Sequence, residues 1–374
     1  MKDKKTIGAG LRGVVAGQTA ICTCGINGSG LTYRGYDIND LAKFSSFEEV
    51  SFLLMCGKLP TKHELANFTQ DIVKYRKLPA QLKELLENMP KDSNPMDVLR
   101  TGGSFLGVIE PETSFTEELE KAKRLLGAFP SMLGYWYNYA NHQKRIDETK
   151  GGDSVASYLL TTLTNQQVSD ENQRCMDVSL ILYAEHEFNA STFVCRVCAA
   201  TLSDYFSAII GGIGTLRGPL HGGANEAAME LISRFKTPAE ASQKVKQALV
   251  EKEKIMGFGH AVYSKSDPRN LVIKEWAKKL SLKHSDSNLF AISESIEKLM
   301  WDEKKLFPNL DFYSATAYHF MGISTELFTP LFVISRTSGW SSHIFEQRKN
   351  NRLIRPNAEY IGPEPTSYTP INER

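Results

Sequence analysis

Leu216-Arg-Gly-Pro-Leu-His-Gly-Gly-Ala-Asn225 is the stretch around which the rest of this chain organises. Pro219 fixes its own φ just upstream of His221, while Gly222 and Gly223 admit backbone conformations and close approaches closed to other residues. A polar ring on so rigid and bare a corner can present its edge to a small ligand. The plainer alternative is a turn between two helices, with His221 a hydrogen-bonded bystander.

Working outward, nearly every segment reads as helix. Ser46-Phe-Glu-Glu49 and Thr61-Lys-His-Glu64 are capping boxes, in which a hydroxyl and a carboxylate satisfy amides of the first turn. Asn94-Pro95, Thr237-Pro-Ala-Glu240 and Asp267-Pro268 repeat the start signal with proline at the first helical position. Ser114-Phe-Thr-Glu117 opens a long amphipathic run to about His142, with a bend expected at Pro130. Between these signals the apolar period is helical, as in Leu299, Met300 and Leu306. Only the glycine-rich region from Ile7 to Asp37 suggests short strands or turns, around Leu31-Thr-Tyr-Arg-Gly-Tyr36. The sequence predicts an all-α fold of about fifteen or more helices.

Composition narrows the function. At 374 residues the chain is long enough for two domains or one large lobed one. Lys+Arg 44 against Asp+Glu 43 leaves a formal charge of +1, so no basic excess argues for nucleic acid or an anionic membrane surface. An anionic substrate would have to be held by a few local arginines. Cys195-x-x-Cys198 lies in an apolar helical run without a second such pair, and reads as buried and reduced, not as a metal or redox motif. Six scattered cysteines fit a reducing compartment, and with no signal peptide or membrane-spanning stretch the expectation is a cytoplasmic protein.

Motifs for other chemistry are missing. There is no G-x-x-x-x-G-K-[ST], no H-E-x-x-H and no G-x-S-x-G; the glycines of Gly211–Gly218 have the wrong spacing for a dinucleotide fingerprint. No metal ligand set is expected. Two further segments join His221. Ile255-Met-Gly-Phe-Gly-His260-Ala-Val-Tyr-Ser-Lys265-Ser-Asp-Pro-Arg269 brackets Phe258 with Gly257 and Gly259, leaving backbone that can lie against a ligand. Arg269 stands at a helix start, where its charge opposes the dipole and calls for an anionic partner. Phe307-Pro-Asn-Leu-Asp311 places an aspartate at a helix entry; taken alone it reads as an N-cap, just as the basic segment alone reads as a solvated turn.

Gly218-Pro-Leu-His-Gly-Gly-Ala-Asn225, Gly257-Phe-Gly-His-Ala-Val-Tyr263 with Asp267-Pro-Arg269, and Pro308-Asn-Leu-Asp311 occur in the order and spacing of the citrate synthase family. Tyr183-Ala-Glu-His186-Glu-Phe-Asn-Ala-Ser-Thr192 resembles that family's motif around its oxaloacetate-binding histidine. Arg336 and Arg355 match its later carboxylate-binding arginines. The similarity runs from about Gly13 to Pro363. Within the family, Ala184–Phe193, Met300–Asp311 and Glu346–Pro356 are most similar to the bacterial 2-methylcitrate synthase branch.

The resemblance implies a large helical domain, 1–222 with 326–374, and a smaller inserted one, 223–325. It also implies a division of labour that the chemistry makes sensible. A carbon beside a thioester carbonyl is a weak acid, so a base must act while the carbonyl oxygen is stabilised. Asp311 would be that base, a neutral His221 would hydrogen-bond the oxygen, and His260 would serve the keto oxygen of oxaloacetate. Arg269, Arg336 and Arg355 would clasp its carboxylates, with His186 adding a polar contact. Arg355 would come from the partner of a homodimer. Ile255, Met256, Gly257, Phe258 and Gly259 would carry coenzyme A along their backbone, with Lys265 as a phosphate partner. Coenzyme A enters as the carrier of propionyl or acetyl, and no permanently bound cofactor is implied. Oxaloacetate binding would draw the two domains together and exclude water. Propionyl-CoA is the expected acyl donor, with acetyl-CoA also used; the alternative is a citrate synthase proper. Phe188 and Tyr318 are candidate pocket aromatics or plain core. A catalytically dead interaction protein would be expected to lack His221, His260 or Asp311, and a hydrolase would release thiol without oxaloacetate.

Overall fold

A computed structural model describes residues 10–11, 13–164 and 168–374. The charged start and the first residues of the glycine-rich segment lie outside them. A small antiparallel sheet comes first: β1 (Cys22–Ile26), β2 (Gly30–Tyr33) and β3 (Tyr36–Asp37). Then follow α1 (Ile38–Phe44), α2 (Phe47–Cys56), α3 (Lys62–Lys74), α4 (Ala80–Asn88), α5 (Pro95–Ile109), α6 (Glu118–His142), α7 (Val155–Thr164) and α8 (Asp170–Tyr183). The second half holds α9 (Ala190–Ala200), α10 (Tyr205–Leu216), α11 (Ala224–Ser233), α12 (Pro238–Val250), α13 (Pro268–Ser281), α14 (Asn288–Lys304), α15 (Leu310–Phe320) and α16 (Phe328–Lys349). The all-α expectation holds, and the strands fall where the glycine-rich region suggested them.

Local chemistry sets the helix starts. Thr61 and Glu64 form the full reciprocal box, and Asn94, Thr237 and Asp267 each accept an amide of the turn they open. For Ser46 only the hydroxyl half forms; the neighbouring Glu48 carboxylate takes the Val155 amide instead, at 2.7 Å. α6 runs through Pro130 without a break.

α16 is the axis of the core. Its residues from Phe328 to Ile344 are buried on every side, against α2, α6, α8, α9 and α10. Several buried hydroxyls on this helix find partners within it: Thr337 Oγ1 donates to Val333 O at 2.8 Å and Ser342 Oγ to Ser338 O at 2.8 Å. Ser335 Oγ instead ties α16 to Leu180 O of α8. Farther out, α11 to α15 pack largely on one another, with α13 also touching α1 and α8.

The hairpin of β1 and β2 bridges these groups. At its base, Tyr33 Oη donates toward the carbonyls at the end of α8 and to Glu185 O at 3.0 Å. At its tip, Gly28 O accepts the amides of Ser264 and Lys265, each at 3.1 Å. Beyond α16 the chain is mostly irregular and exposed, closing on a short 3-10 turn at Ile371–Glu373, and carries Leu353, Tyr360, Ile361, Tyr368 and Ile371 in the open.

Candidate active site

Three turns and two helices converge. The first turn joins α10 to α11 and holds His221. A Cβ at Gly222 would sit 2.1 Å from Leu216 O, so only glycine lets the chain fold back against the end of α10. His221 Nε2 accepts the Ser191 amide at 3.2 Å and lies 2.8 Å from Ser191 Oγ. An amide can only donate, so Nε2 carries no proton and the ring's N–H is at Nδ1. Ser191 Oγ is itself fixed by Trp340 Nε1 of α16 at 3.1 Å. Burial, reinforced by Arg336, pushes His221 down to about 4, which keeps it neutral.

The second turn follows α12. His260 Nδ1 accepts the amides of Val262 at 3.0 Å and Tyr263 at 3.3 Å. By the same logic its proton is on Nε2. Burial and then Arg269 push this ring down to about 4 as well. Its face meets His186 edge-on, with centroids 4.9 Å apart. His186 is fully enclosed at the end of α8, bonded through Nε2 to Tyr263 Oη at 2.9 Å. Burial, then Arg269 and His260, hold it well below its ordinary value.

Asp311 lies in the first turn of α15, and the plainer N-cap alternative does not hold for it. The N-cap is Asn309, whose Oδ1 accepts the Asp311 amide at 3.0 Å, so Asp311 is not spent on capping. Asn309 Nδ2 donates to Gly259 O at 3.0 Å, its amide donates to Gly257 O at 2.9 Å, and Gly259 N donates to Phe307 O at 2.8 Å. The loop 257–259 is thus laced to the entry of α15. Gly257 allows this because it has φ +87, and a Cβ there would press on Phe312 at 3.0 Å. Asp311 Oδ1 accepts Tyr183 Oη at 2.6 Å. Burial raises the Asp311 pKa, while the tyrosine bond, Arg269 and Arg336 oppose the rise.

The guanidinium groups stand around these rings. Arg269 finds the anion its helix-start position called for in Asp267, with Nε to Oδ1 at 3.0 Å and Nη2 to Oδ2 at 2.8 Å. Asp267 Oδ2 also accepts the Leu310 amide at 3.0 Å, joining the head of α13 to the head of α15. Arg336, on α16, donates Nε to Tyr183 O at 2.7 Å and lies 4.5 Å from the Phe332 ring centroid. Its Nη1 is buried without a partner. A carboxylate there would supply one.

Contacts link the groups into one cluster. His221 faces Phe332 (6.4 Å), Phe332 faces Tyr183 (4.7 Å), and Tyr183 bonds Asp311. On the other side Arg269 lies 5.8 Å from the Tyr263 ring centroid, which stacks with His260 at 4.6 Å. So His186, His221, His260, Arg269, Asp311 and Arg336 are brought together. Arg355 is not: it lies in the exposed tail, where Nη1 donates to Asn357 Oδ1 at 3.3 Å. Ile255, Met256, Phe258 and Gly259 line a half-buried loop with Gly257 enclosed, and Lys265 is exposed at its far end. Tyr318 is core, with Oη 2.6 Å from Ser179 Oγ, and Phe188 packs under Arg196 at 4.6 Å.

Sequence reasoning gave no role to Tyr183, Ser191, Tyr263, Asp267 and Asn309, although all lie in or beside the quoted motifs. The available signal was position: each stands within about ten residues of a motif histidine or aspartate.

A helical body in which buried arginines, neutral imidazoles and the Asp311 carboxylate meet defines a site for a small anionic substrate. The comparisons narrow this class: residues 10–357 match the model of the citrate synthase C-terminal domain, and the chain belongs to the citrate synthase family. It is 55% identical to the 2-methylcitrate synthase of Shewanella oneidensis, over 99% of each chain. With citrate synthase 2 of Bacillus subtilis it shares 42% over 98% of each. Among solved structures it superposes with a TM-score of 0.90 on the citrate synthase of Thermoplasma acidophilum in ternary complex with carboxymethyl coenzyme A and oxaloacetate. That protein is 30% identical, with 98% of each chain covered.

Proposed function

We propose that this enzyme condenses propionyl-CoA with oxaloacetate and water to give 2-methylcitrate and free CoA, accepting acetyl-CoA as a poorer donor. The observation that carries the chemistry is the half-buried Asp311 carboxylate, set among two imidazoles with opposite protonated nitrogens and a guanidinium short of a partner. The choice of propionyl is supported by the Shewanella relative.

In this reading Asp311 removes a proton from the carbon next to the thioester carbonyl. His221 donates Nδ1–H to the carbonyl oxygen as negative charge builds there. The enolate carbon attacks the keto carbon of oxaloacetate, whose oxygen takes a hydrogen bond or proton from His260 Nε2. Water then cleaves the thioester, leaving the new carboxylate and CoA thiol. A neutral imidazole suits both donor roles, since a charged ring would hold its ligand in every state along the path. Arg269 and Arg336 hold the two carboxylates together with Arg355 of the partner subunit, and His186 adds a polar contact. The exposed tail that carries Arg355, with its uncovered apolar side chains, supports such a homodimer. Coenzyme A would lie along Ile255–Gly259, with Lys265 at a phosphate. Residues 223–325 would close on 1–222 and 326–374 when oxaloacetate binds. Six free thiols suit a reducing cytoplasm.

The test is thiol release with oxaloacetate and each thioester. One methylene is worth about 1–3 kcal/mol in a pocket, roughly 10–200-fold in kcat/KM. Propionyl-CoA should win by a factor in that range. A preference for acetyl-CoA would make this a citrate synthase proper, and release without oxaloacetate would make it a hydrolase.

A further inference from the structure

α13 and α15 lie side by side with their heads joined through Asp267. Their tails also meet, far from every residue given a role above. His284 follows the end of α13 and His319 occupies the last turn of α15, with ring centroids 5.5 Å apart. Both rings pack on Phe320, at 5.2 and 5.8 Å. Asp286 completes the group: its Oδ2 is 3.2 Å from His319 Nε2, and its amide donates to His284 Nδ1 at 3.1 Å. One nitrogen from each histidine and one carboxylate oxygen lie within 4.8 Å of one another.

We propose that His284, Asp286 and His319 form a binding site for one divalent cation of the zinc class. Two imidazoles and a carboxylate are the donor set such ions prefer, and three protein ligands leave a fourth position for water. Ligand atoms around a tetrahedral zinc stand about 3.3 Å apart, given metal–ligand bonds of about 2.0–2.2 Å. The Asp286–His319 pair already has that spacing at 3.2 Å, and His284, whose ligand atom lies within 4.8 Å of both, closes the remainder on binding. The field favours a cation as well. Two helices end here side by side, and the C-terminal end of a helix dipole favours positive charge. The nearest lysine in sequence, Lys283, is neutralised by Glu171 at 2.6 Å. Asp286 is exposed and both rings are half-buried, so an ion can enter from solvent. Binding does exchange one bond: whether His284 ligates through Nδ1, or moves its proton there and ligates through Nε2, it gives up the Asp286 amide. Once bound, the ion pins the tails of the two helices whose heads carry Arg269 and Asp311. No sequence motif marks the site, because His284 and Asp286 sit in one loop while His319 lies on a helix 33 residues beyond Asp286.

Titration of the chelator-treated full chain with Zn²⁺ by calorimetry tests the site, in a Cys56→Ser background that removes the exposed thiol. One saturable equivalent per chain is expected, with roughly tenfold or more weaker binding in His319→Gln and in Asp286→Asn. His63→Gln, an exposed histidine elsewhere, should bind as the parent does. Zn²⁺ should raise Tm in the parent and not in the two ligand variants, and Co²⁺ in its place should give a tetrahedral spectrum without a thiolate band. Absence of saturable binding, or equal affinity in both ligand variants, overturns the proposal. Neither side chain touches the reaction, so metal-free activity checks that the variants are folded.

Discussion

The turn at His221 and the turn at His260 each hold a neutral imidazole, but the two are fixed in different ways. His260 is set by its own turn, through the amides two and three residues ahead. His221 is set from a distance, by the Ser191 amide in the first turn of α9. The consequence is opposite tautomers, Nε2–H at one and Nδ1–H at the other. Backbone amides can only donate, so in both places the fold decides which nitrogen faces the ligand as a donor. A self-contained turn keeps its tautomer wherever the segment goes. A turn set by a distant helix keeps it only while that packing holds.

Asp311, the proposed base, gives the largest expected effect. Asp311→Asn should slow exchange of the thioester α-proton with solvent by about 10²–10⁴-fold, the usual contribution of a general base. Near-normal exchange would assign the proton transfer elsewhere. Next, His221→Ala and His260→Ala should each lower kcat by about 10²–10³-fold, as for loss of an oxyanion donor. The contrast lies in exchange: it should fall with His221 and persist with His260, which acts only after the enolate forms. Arg336→Lys, which loses the planar fork and the unpaired Nη1, should raise KM for oxaloacetate by about 10–100-fold, the worth of a charged hydrogen bond.

A gentler probe is pH. The folded pKa of both rings is pushed down to about 4 by burial, whereas the unfolded chain titrates near 6.5. Between those values the unfolded state binds more protons, so the stability these rings confer is complete above about 6.5 and is lost as pH falls toward 4. Tm should therefore fall less steeply over that window in His221→Asn/His260→Asn than in the parent. Parallel curves would show that the rings are not held neutral. Smallest of all is Ser191→Ala: the amide that sets the tautomer stays, so kcat should change only a few-fold, and imidazole ¹⁵N shifts should still report Nδ1–H at 221 and Nε2–H at 260.

Much of this could be read beforehand because glycine and proline mark where backbone must bend or approach closely. The corners at 218–223 and 257–263 are such places, and the helix starts carried their own signals in Thr61, Asn94, Thr237 and Asp267. What escaped was long-range. Nothing near Tyr183 says that its hydroxyl will meet Asp311, since that contact depends on how α8 packs against α15. That Asp311 is not spent on capping turned on a shift of two residues, with Asn309 taking the cap. The need of Arg269 for an anion was legible from its place on the helix, and Asp267 two residues earlier met it. Arg355 is different in kind, since a single chain leaves it in an exposed tail and its proposed site needs a second copy.

Asn309 has a mechanical consequence. One side chain closes the helix turn that positions Asp311 and grips the carbonyl of Gly259, while its own amide holds Gly257. Whatever rests on the 257–259 backbone therefore presses on a lever whose other arm carries the carboxylate. Occupancy of one would be felt as displacement of the other, through contacts that cross only a few residues.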